Sequence, residues 1–324
     1  MAVTDIAKPR PFTSRLRETS RQIRKNWSAY MFLAPGLIHF LIFTLFAVSF
    51  AFYISFHEWN IIRPEKPFVG LENYARLLGD KRFHRAVLNT LTFLIGVPLN
   101  LSFALAVALL LNTKVRGQAL FRTMFYIPVV TPLVVSAIIW RWVYQGDYGL
   151  LNYYLLKLGI IGEKIFWLAD PNLALPALII MGIWTGTGSP MVIYLAGLQS
   201  IPEEMYDAAK VDGANAWQRF WNITFPMMTP VLFYNLVLGM IATFQYFTQV
   251  YVATSSSIAG LGSPQHSTLF YNIYLYQNAF RYFDMGYAST LAWILFIIVL
   301  SLTGLIFRSS DAWVYYEGQL RGRV

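Results

Sequence analysis

No cysteine occurs among the 324 residues, and only 13% of them carry charge. The first absence excludes disulfides, thiolate metal sites and cysteine nucleophiles in this chain. The second separates it from soluble domains, in which about 25% of residues are charged. With 56% hydrophobic residues, the deficit indicates a membrane protein rather than a large soluble core. Asp and Glu are almost missing from the long apolar runs. Proton-coupled carriers rely on ionisable groups inside the membrane, so such a relay is disfavoured. The four histidines, His39, His57, His84 and His266, show no metal-ligand spacing. No G-x-x-x-x-G-K-S/T phosphate loop occurs, so any ATP would be handled by another subunit. A convergent nucleophile or acid–base set inside the apolar runs is also missing, which disfavours a membrane-embedded enzyme.

What is present is apolar sequence in blocks. A spanning helix needs roughly 20 mostly apolar residues. Six runs qualify: Tyr30–Phe56, Val87–Leu111, Met124–Tyr144, Leu173–Leu198, Pro226–Thr254 and Tyr287–Phe307. The first is too long for a cleavable signal, and no small-residue cleavage site follows it. The predicted fold is an all-α membrane protein with six core transmembrane helices in 30–307. It is flanked by a basic N-terminal tail (1–29) and a C-terminal tail (308–324). If the N-terminus is cytoplasmic, the inner segments 1–29, 112–123, 199–225 and 308–324 hold 15 of the 25 Lys and Arg residues. That bias predicts an N-in, C-in topology. The net charge of +9 is therefore assigned to the membrane and not to nucleic acid. Arg15, Arg17, Arg21, Arg24 and Lys25, ending at Trp27 and Tyr30, suit a helix lying on an anionic lipid surface.

Outer segments also carry pattern. The spacing in "FVGLENYARLLGDKRFHRAVLNT" (68–90) predicts one amphipathic interfacial helix. The stretch 146–175 predicts a short helix, a glycine turn and an aromatic anchor at Trp167. "SSSIAGLGSP", in 255–286, reads as a flexible loop by composition. Arg141, near the outer end of the third run, is expected to snorkel to the interface rather than meet substrate.

One polar island interrupts the apolar pattern: "EEMYDAAKVDGANAWQRFWNITFP", 203–226. Ser200 followed by Glu203 predicts a capping box, with Pro202 in the first turn. Glu203 and Glu204 favour the positive end of the helix dipole. Ala208 and Ala209 allow another surface to approach closely, and Gly213 suits the left-handed residue that ends a helix. Trp217, Phe220 and Trp221 supply an apolar base. The expectation is a helical knob that a soluble partner grips.

These residues resemble the signature cytoplasmic loop of ABC importer permeases, Glu-Ala-Ala, three residues, Gly, nine residues, Ile-x-Leu-Pro. Here it runs Asp207-Ala208-Ala209, three residues, Gly213, nine residues, Ile223-Thr224-Phe225-Pro226. The spacing matches throughout, while Asp207 replaces Glu and Phe225 replaces Leu. "YISFHEWN", "FVGLENYARLL", "RGQALFRTMFYIPVVTPLVV", "DYGLLN" and "FDMGYAS" are similar to stretches of the maltose and glycerol-phosphate type of sugar permease. The resemblance implies a second, homologous permease, two copies of a cytoplasmic ATPase subunit that would hold ATP and Mg, and an external solute-binding protein. It implies no cofactor in this chain, placement in the inner membrane, and ATPase coupling through Glu203, Asp207, Ala208, Ala209 and Gly213. It also places sugar-contacting positions at Thr185, Gly186, Ser189, Thr243 and Tyr246, with Gln249 nearby. A stand-alone carrier or channel is the alternative, and it leaves the polar island unexplained. The basic outer segments are compatible with an acidic sugar such as a uronate.

Overall fold

The computed structural model describes residues 25–113, 116–255 and 260–315. The basic tail through Arg24, the C-terminal segment 316–324 and part of the Ser/Gly stretch (256–259) lie outside the described residues. Among the described residues the regular structure is helical, apart from two isolated bridges, His57 with Phe68 and Asn60 with Asp284. Among the described residues, four helices are long and apolar enough to cross a membrane: α1 (Trp27–Ser55), α3 (Lys81–Asn112), α10 (Ala216–Phe244) and α13 (Met285–Trp313). Two bent pairs, α4 (Gln118–Val130) with α5 (Leu133–Val143) and α7 (Ala174–Gly186) with α8 (Gly188–Gln199), bring the number to six if each pair is one span.

The breaks correct the expectation of continuous runs. The third run turns by 102° at Thr131–Pro132, where the proline lacks the N–H that would continue the ladder. The fourth bends by 49° at Thr187. The fifth ends at Phe244, and a separate helix, α11 (Thr248–Thr254), follows three non-helical residues. The predicted single helix over 68–90 is two. Helix α2 (Glu72–Gly79) stops at Asp80, whose carboxylate caps α3 by accepting from the backbone of Arg82 (2.9 Å) and Phe83 (3.2 Å). The second piece is not interfacial alone, because α3 runs on into the apolar 96–112 stretch. Trp27 and Tyr30 lie inside α1 rather than on a surface helix before it. Helix α6 (Leu150–Lys157) matches the predicted short helix, and the Trp167 indole donates to Asn152 Oδ1 at 2.9 Å. Beyond the Ser/Gly stretch, 260–285 is not a loose connection. It carries α12 (Tyr271–Tyr276), whose Tyr271 and Ile273 are fully buried.

Two apolar clusters hold the bundle. One gathers at the Lys81 end of α3 around Phe93, Leu178, Phe270, Tyr271, Tyr287 and Leu291. The other lies toward Asn112 and packs Ala104, Val107, Met191, Tyr194 and Met228. Gly188 permits that second cluster to close. A Cβ there would stand 2.6 Å from both the Phe125 carbonyl and Val129 Cγ2, so only glycine lets α4 approach α8 this closely.

Asp80 ties three elements together. Besides capping α3, it accepts hydrogen bonds from the Tyr274 hydroxyl after α12 begins and from the Tyr287 hydroxyl of α13. Arg76 lies 4.0 Å over the Tyr287 ring and pairs with Asp284 at 2.7 Å. Burial by itself would raise the Asp80 pKa. The hydrogen bonds from Tyr274, Tyr287 and the Phe83 and Arg82 amides outweigh it and hold the carboxyl below its ordinary value. A depressed folded value contributes stability above the unfolded pKa, and that stability is lost as pH falls through the folded one. Asp80→Ala is expected to cost about 1–3 kcal/mol, from the lost cap and the two stranded hydroxyls. Thermal unfolding of wild type and Asp80→Ala should therefore differ by a constant margin above about pH 5. The margin should shrink below about pH 4, the ordinary Asp range.

Candidate functional site

The polar island forms α9 (Glu203–Val211), a helix with no buried residue. It leaves the bundle at Ile201, which is buried, and returns through Ala216–Arg219 into α10. The predicted capping box at Ser200 does not form. Ser200 ends α8 in helical conformation, and its hydroxyl turns back to the Gly197 carbonyl at 2.7 Å. Pro202 is the N-cap and supplies no side-chain acceptor. A reciprocal box occurs one helix later, where Asn215 Oδ1 accepts from the Gln218 amide (2.9 Å) and Gln218 Oε1 from the Asn215 amide (2.8 Å). The N-x-x-Q spacing was legible and is the polar-amide form of the same motif.

At its other end α9 closes as its glycine predicts. Gly213 sits at φ +79°, its N–H donates to the Lys210 carbonyl (3.1 Å), and the Ala214 N–H donates to Ala209 (2.8 Å). This is the Schellman pattern, which requires the left-handed residue found here. Nothing in the chain lies within 4 Å of where a Gly213 side chain would begin. Asp207 and Lys210 form an exposed ion pair at 2.7 Å, and Glu203, Glu204 and Ala208 are also exposed. Val211 is 88% exposed, so the helix presents both charge and apolar surface.

The second feature is a cavity of about 500 Å³ between α3, α7, α8, α10 and α11. Thr185, Gly186, Ser189, Thr243, Tyr246 and Gln249 all line it. Thr187, at the bend, donates to Asn100 Oδ1 at 2.8 Å and so joins α8 to α3 beside the cavity. The Thr185 and Thr243 hydroxyls turn back onto their own helices, to Met181 and Gly182 (3.1 Å each) and to Gly239 (2.9 Å). They keep acceptor capacity toward the cavity. The Tyr246 ring packs against Phe93, tilted by 34° with centroids 4.6 Å apart, and its hydroxyl is buried with no hydrogen-bond partner. A buried hydroxyl left unsatisfied costs about 1–3 kcal/mol, a cost that a polar ligand or water would relieve. Sequence reasoning missed Asn100, Asn235 and Gln245, which also line the wall. Asn100 and Asn235 were the findable ones, because each is an amide set within an apolar run.

Arg141 occupies the last turn of α5 and lines a separate recess of about 480 Å³ with Trp142, Tyr148 and Phe166. The histidines do not assemble: among the described residues, no three His, Cys, Asp or Glu side chains are grouped to hold a metal.

Comparison with known proteins gives a consistent result. Residues 100–313 match the family described as binding-protein-dependent transport system inner membrane component. The chain is 41% identical over 304 residues to the probable ABC transporter permease protein YesP of Bacillus subtilis, spanning 93% of this chain and 96% of that one. It is 36% identical over 295 residues to the lactose transport system permease protein LacF of Rhizobium radiobacter, with 89% and 97% covered. The fold is similar to that of a bacterial ABC transporter involved in the import of the acidic polysaccharide alginate. The TM-score is 0.77 over 91% of this chain and 99% of that one, at 22% identity.

Proposed function

Because the chain belongs to the binding-protein-dependent transport system inner membrane components, the permease subunits of ABC importers, we propose that it forms half of the pore of a sugar importer. Its α9 would serve as the handle by which an ATPase subunit moves it. The observation that carries this reading is α9 itself. A nine-residue helix with no buried residue, closed by its own C-terminal turn, offers most of its surface to something other than this chain. Its exposed Asp207 and close-approach Ala208 suit insertion into a cleft of a soluble partner. Sugar is the favoured cargo because relatives such as the lactose permease and the trehalose/maltose permease of Thermococcus litoralis carry that name. The cavity also offers the matching chemistry: amides, hydroxyls and an aromatic ring. The proposed partners are a second permease, two copies of the ATPase subunit with ATP and Mg, and an external solute-binding protein. The proposed setting is the inner membrane with both termini inside.

An acidic sugar is the narrower reading, motivated by the basic outer segments that hold Arg63, Lys66, Arg76, Lys81, Arg82 and Arg85. The central cavity works against it, since the described residues lining it include no Lys or Arg. Of the outer cations, Arg63 pairs with Glu58 at 3.1 Å, and Arg76 pairs with Asp284.

Purification of the wild-type chain from its native host in mild detergent, with its companions identified by mass, tests the proposal. A second permease and an ATPase subunit should accompany it. Vesicles containing the complex and its binding protein should accumulate one of a panel of neutral and uronate-bearing oligosaccharides only when supplied with ATP. A chain that purifies alone and moves solute without ATP would establish the carrier alternative.

A further inference from the structure

Helix α9 is exposed on most of its surface, yet it must be held to the bundle if a push on it is to move the cavity. One covalent path runs back through Ser200 into α8, which carries Ser189 in the cavity wall. The other passes through Gly213 and the short turn beyond it. That turn is closed by bonds of α9 and its own loop, Gly213 N–H to Lys210 and Ala214 N–H to Ala209, and nothing else of the chain stands within 4 Å of a Cβ at Gly213, so there the second path is slack against the bundle.

A side chain bridges the slack. Tyr206, half-buried in the middle of α9, packs against the cluster that holds Leu198, Ile201 and Met228. Its hydroxyl shares a 2.9 Å hydrogen bond with Thr224 Oγ1. Thr224 is buried and is the last residue of a π-helical turn, Phe220–Thr224, inside α10. From there α10 continues as regular helix for 20 residues, Phe225–Phe244, and reaches the cavity at Gly239 and Thr243. At 1.5 Å per residue that stretch, with Pro230 inside it, is a lever about 30 Å long. A π turn is the place where a helix most readily changes register, and such turns recur at functional sites.

We propose that Tyr206 is a positioning residue for transport: its bond to Thr224 is the strut that carries motion of α9 into α10 and hence into the cavity wall. The inference rests on the reading of α9 as the ATPase handle. It adds how the handle grips the span. Without the strut, the ATPase would still dock and hydrolyse ATP, and α9 would swing on the Gly213 turn while α10 lagged behind.

The test uses the assembled complex and needs no knowledge of the sugar. The chain has no cysteine, so Ser189→Cys places one thiol in the cavity wall. Its reaction with a membrane-impermeant maleimide is followed on this subunit with and without ATP plus vanadate. Tyr206→Phe keeps the ring and removes only the hydrogen bond, and Thr224→Val removes it from the other side. Each should reduce the ATP-dependent change in labelling roughly two- to tenfold, the range for one lost hydrogen bond. Bound ATPase subunit and ATP turnover should be retained, and Thr224→Ser should restore the response. A Tyr206→Phe complex with wild-type labelling overturns the strut. Loss of the ATPase subunit from Tyr206→Phe also overturns it, placing Tyr206 in the docking face. The underlying reading fails separately, if Gly213→Trp still binds the ATPase.

Discussion

Gly213→Trp is expected to leave a folded permease that loses its ATPase subunit during purification, with at least a tenfold fall in co-purified ATPase and matching loss of transport. The permease fold should survive, because a Cβ at 213 meets nothing of its own chain within 4 Å and starts the side chain into open space. The internal cost is confined to a non-glycine residue at φ +79°, about 1–2 kcal/mol at an exposed turn. The indole would instead enter the space that a docked partner occupies. A tenfold loss of binding needs only about 1.4 kcal/mol, less than one misplaced ring in a packed interface costs. Asp207→Arg should add to the effect by reversing the charge offered to the partner, and it also breaks the 2.7 Å pair with Lys210. That exposed pair contributes little to stability, so the variant should melt near wild type. Thermal unfolding and quantitation of bound ATPase on the same samples separate the two effects. A Gly213→Trp chain that retains its ATPase would show that α9 is not the docking element.

Ser189→Trp is expected to give the opposite combination, with transport abolished and the complex intact. Ser189 is exposed, lines the cavity, and lies near the start of α8, at the opposite end of that helix from α9. An indole there would intrude into a cavity of about 500 Å³ that Tyr246 and Gln249 also line. ATPase occupancy should match wild type, and uptake into vesicles should fall at least tenfold. Ser189→Ala should transport within a few fold of wild type, since it removes one hydroxyl without filling space. If Ser189→Trp transports normally, the cavity is not the route. The two variants thus divide the molecule: one severs drive and keeps the path, the other blocks the path and keeps the drive.

The reach of sequence reasoning varies by element. Helix α9 was legible almost in full, because its start, its acidic first turn and its terminal glycine are all local signals. Its cap was misplaced because Ser200 is shared between two helices, and the upstream helix α8 claims its hydroxyl. The split at Asp80 was missed because helical periodicity continues across it. What decides the break is Asp80 acting as cap for α3 and acceptor for Tyr274 and Tyr287, nearly 200 residues away. In the cavity, the six residues suggested by resemblance share one wall system with Asn100, which also accepts from Thr187 across the bend.

By itself, the sequence determined that this is a helical membrane protein, roughly where its apolar runs lie, and that a polar helix stands out among them. Those properties depend on transfer of side chains from water and on short-range backbone capping, which act over a few residues and are written locally. Only the tertiary structure decided where the third and fourth runs bend, which polar side chains meet around one cavity, and that Tyr206 reaches Thr224. Those outcomes depend on the directions in which side chains of separate helices meet once packed. In a membrane, apolar runs feel little drive toward one another, so close fits such as Gly188 against α4 and a few polar pairs select the arrangement.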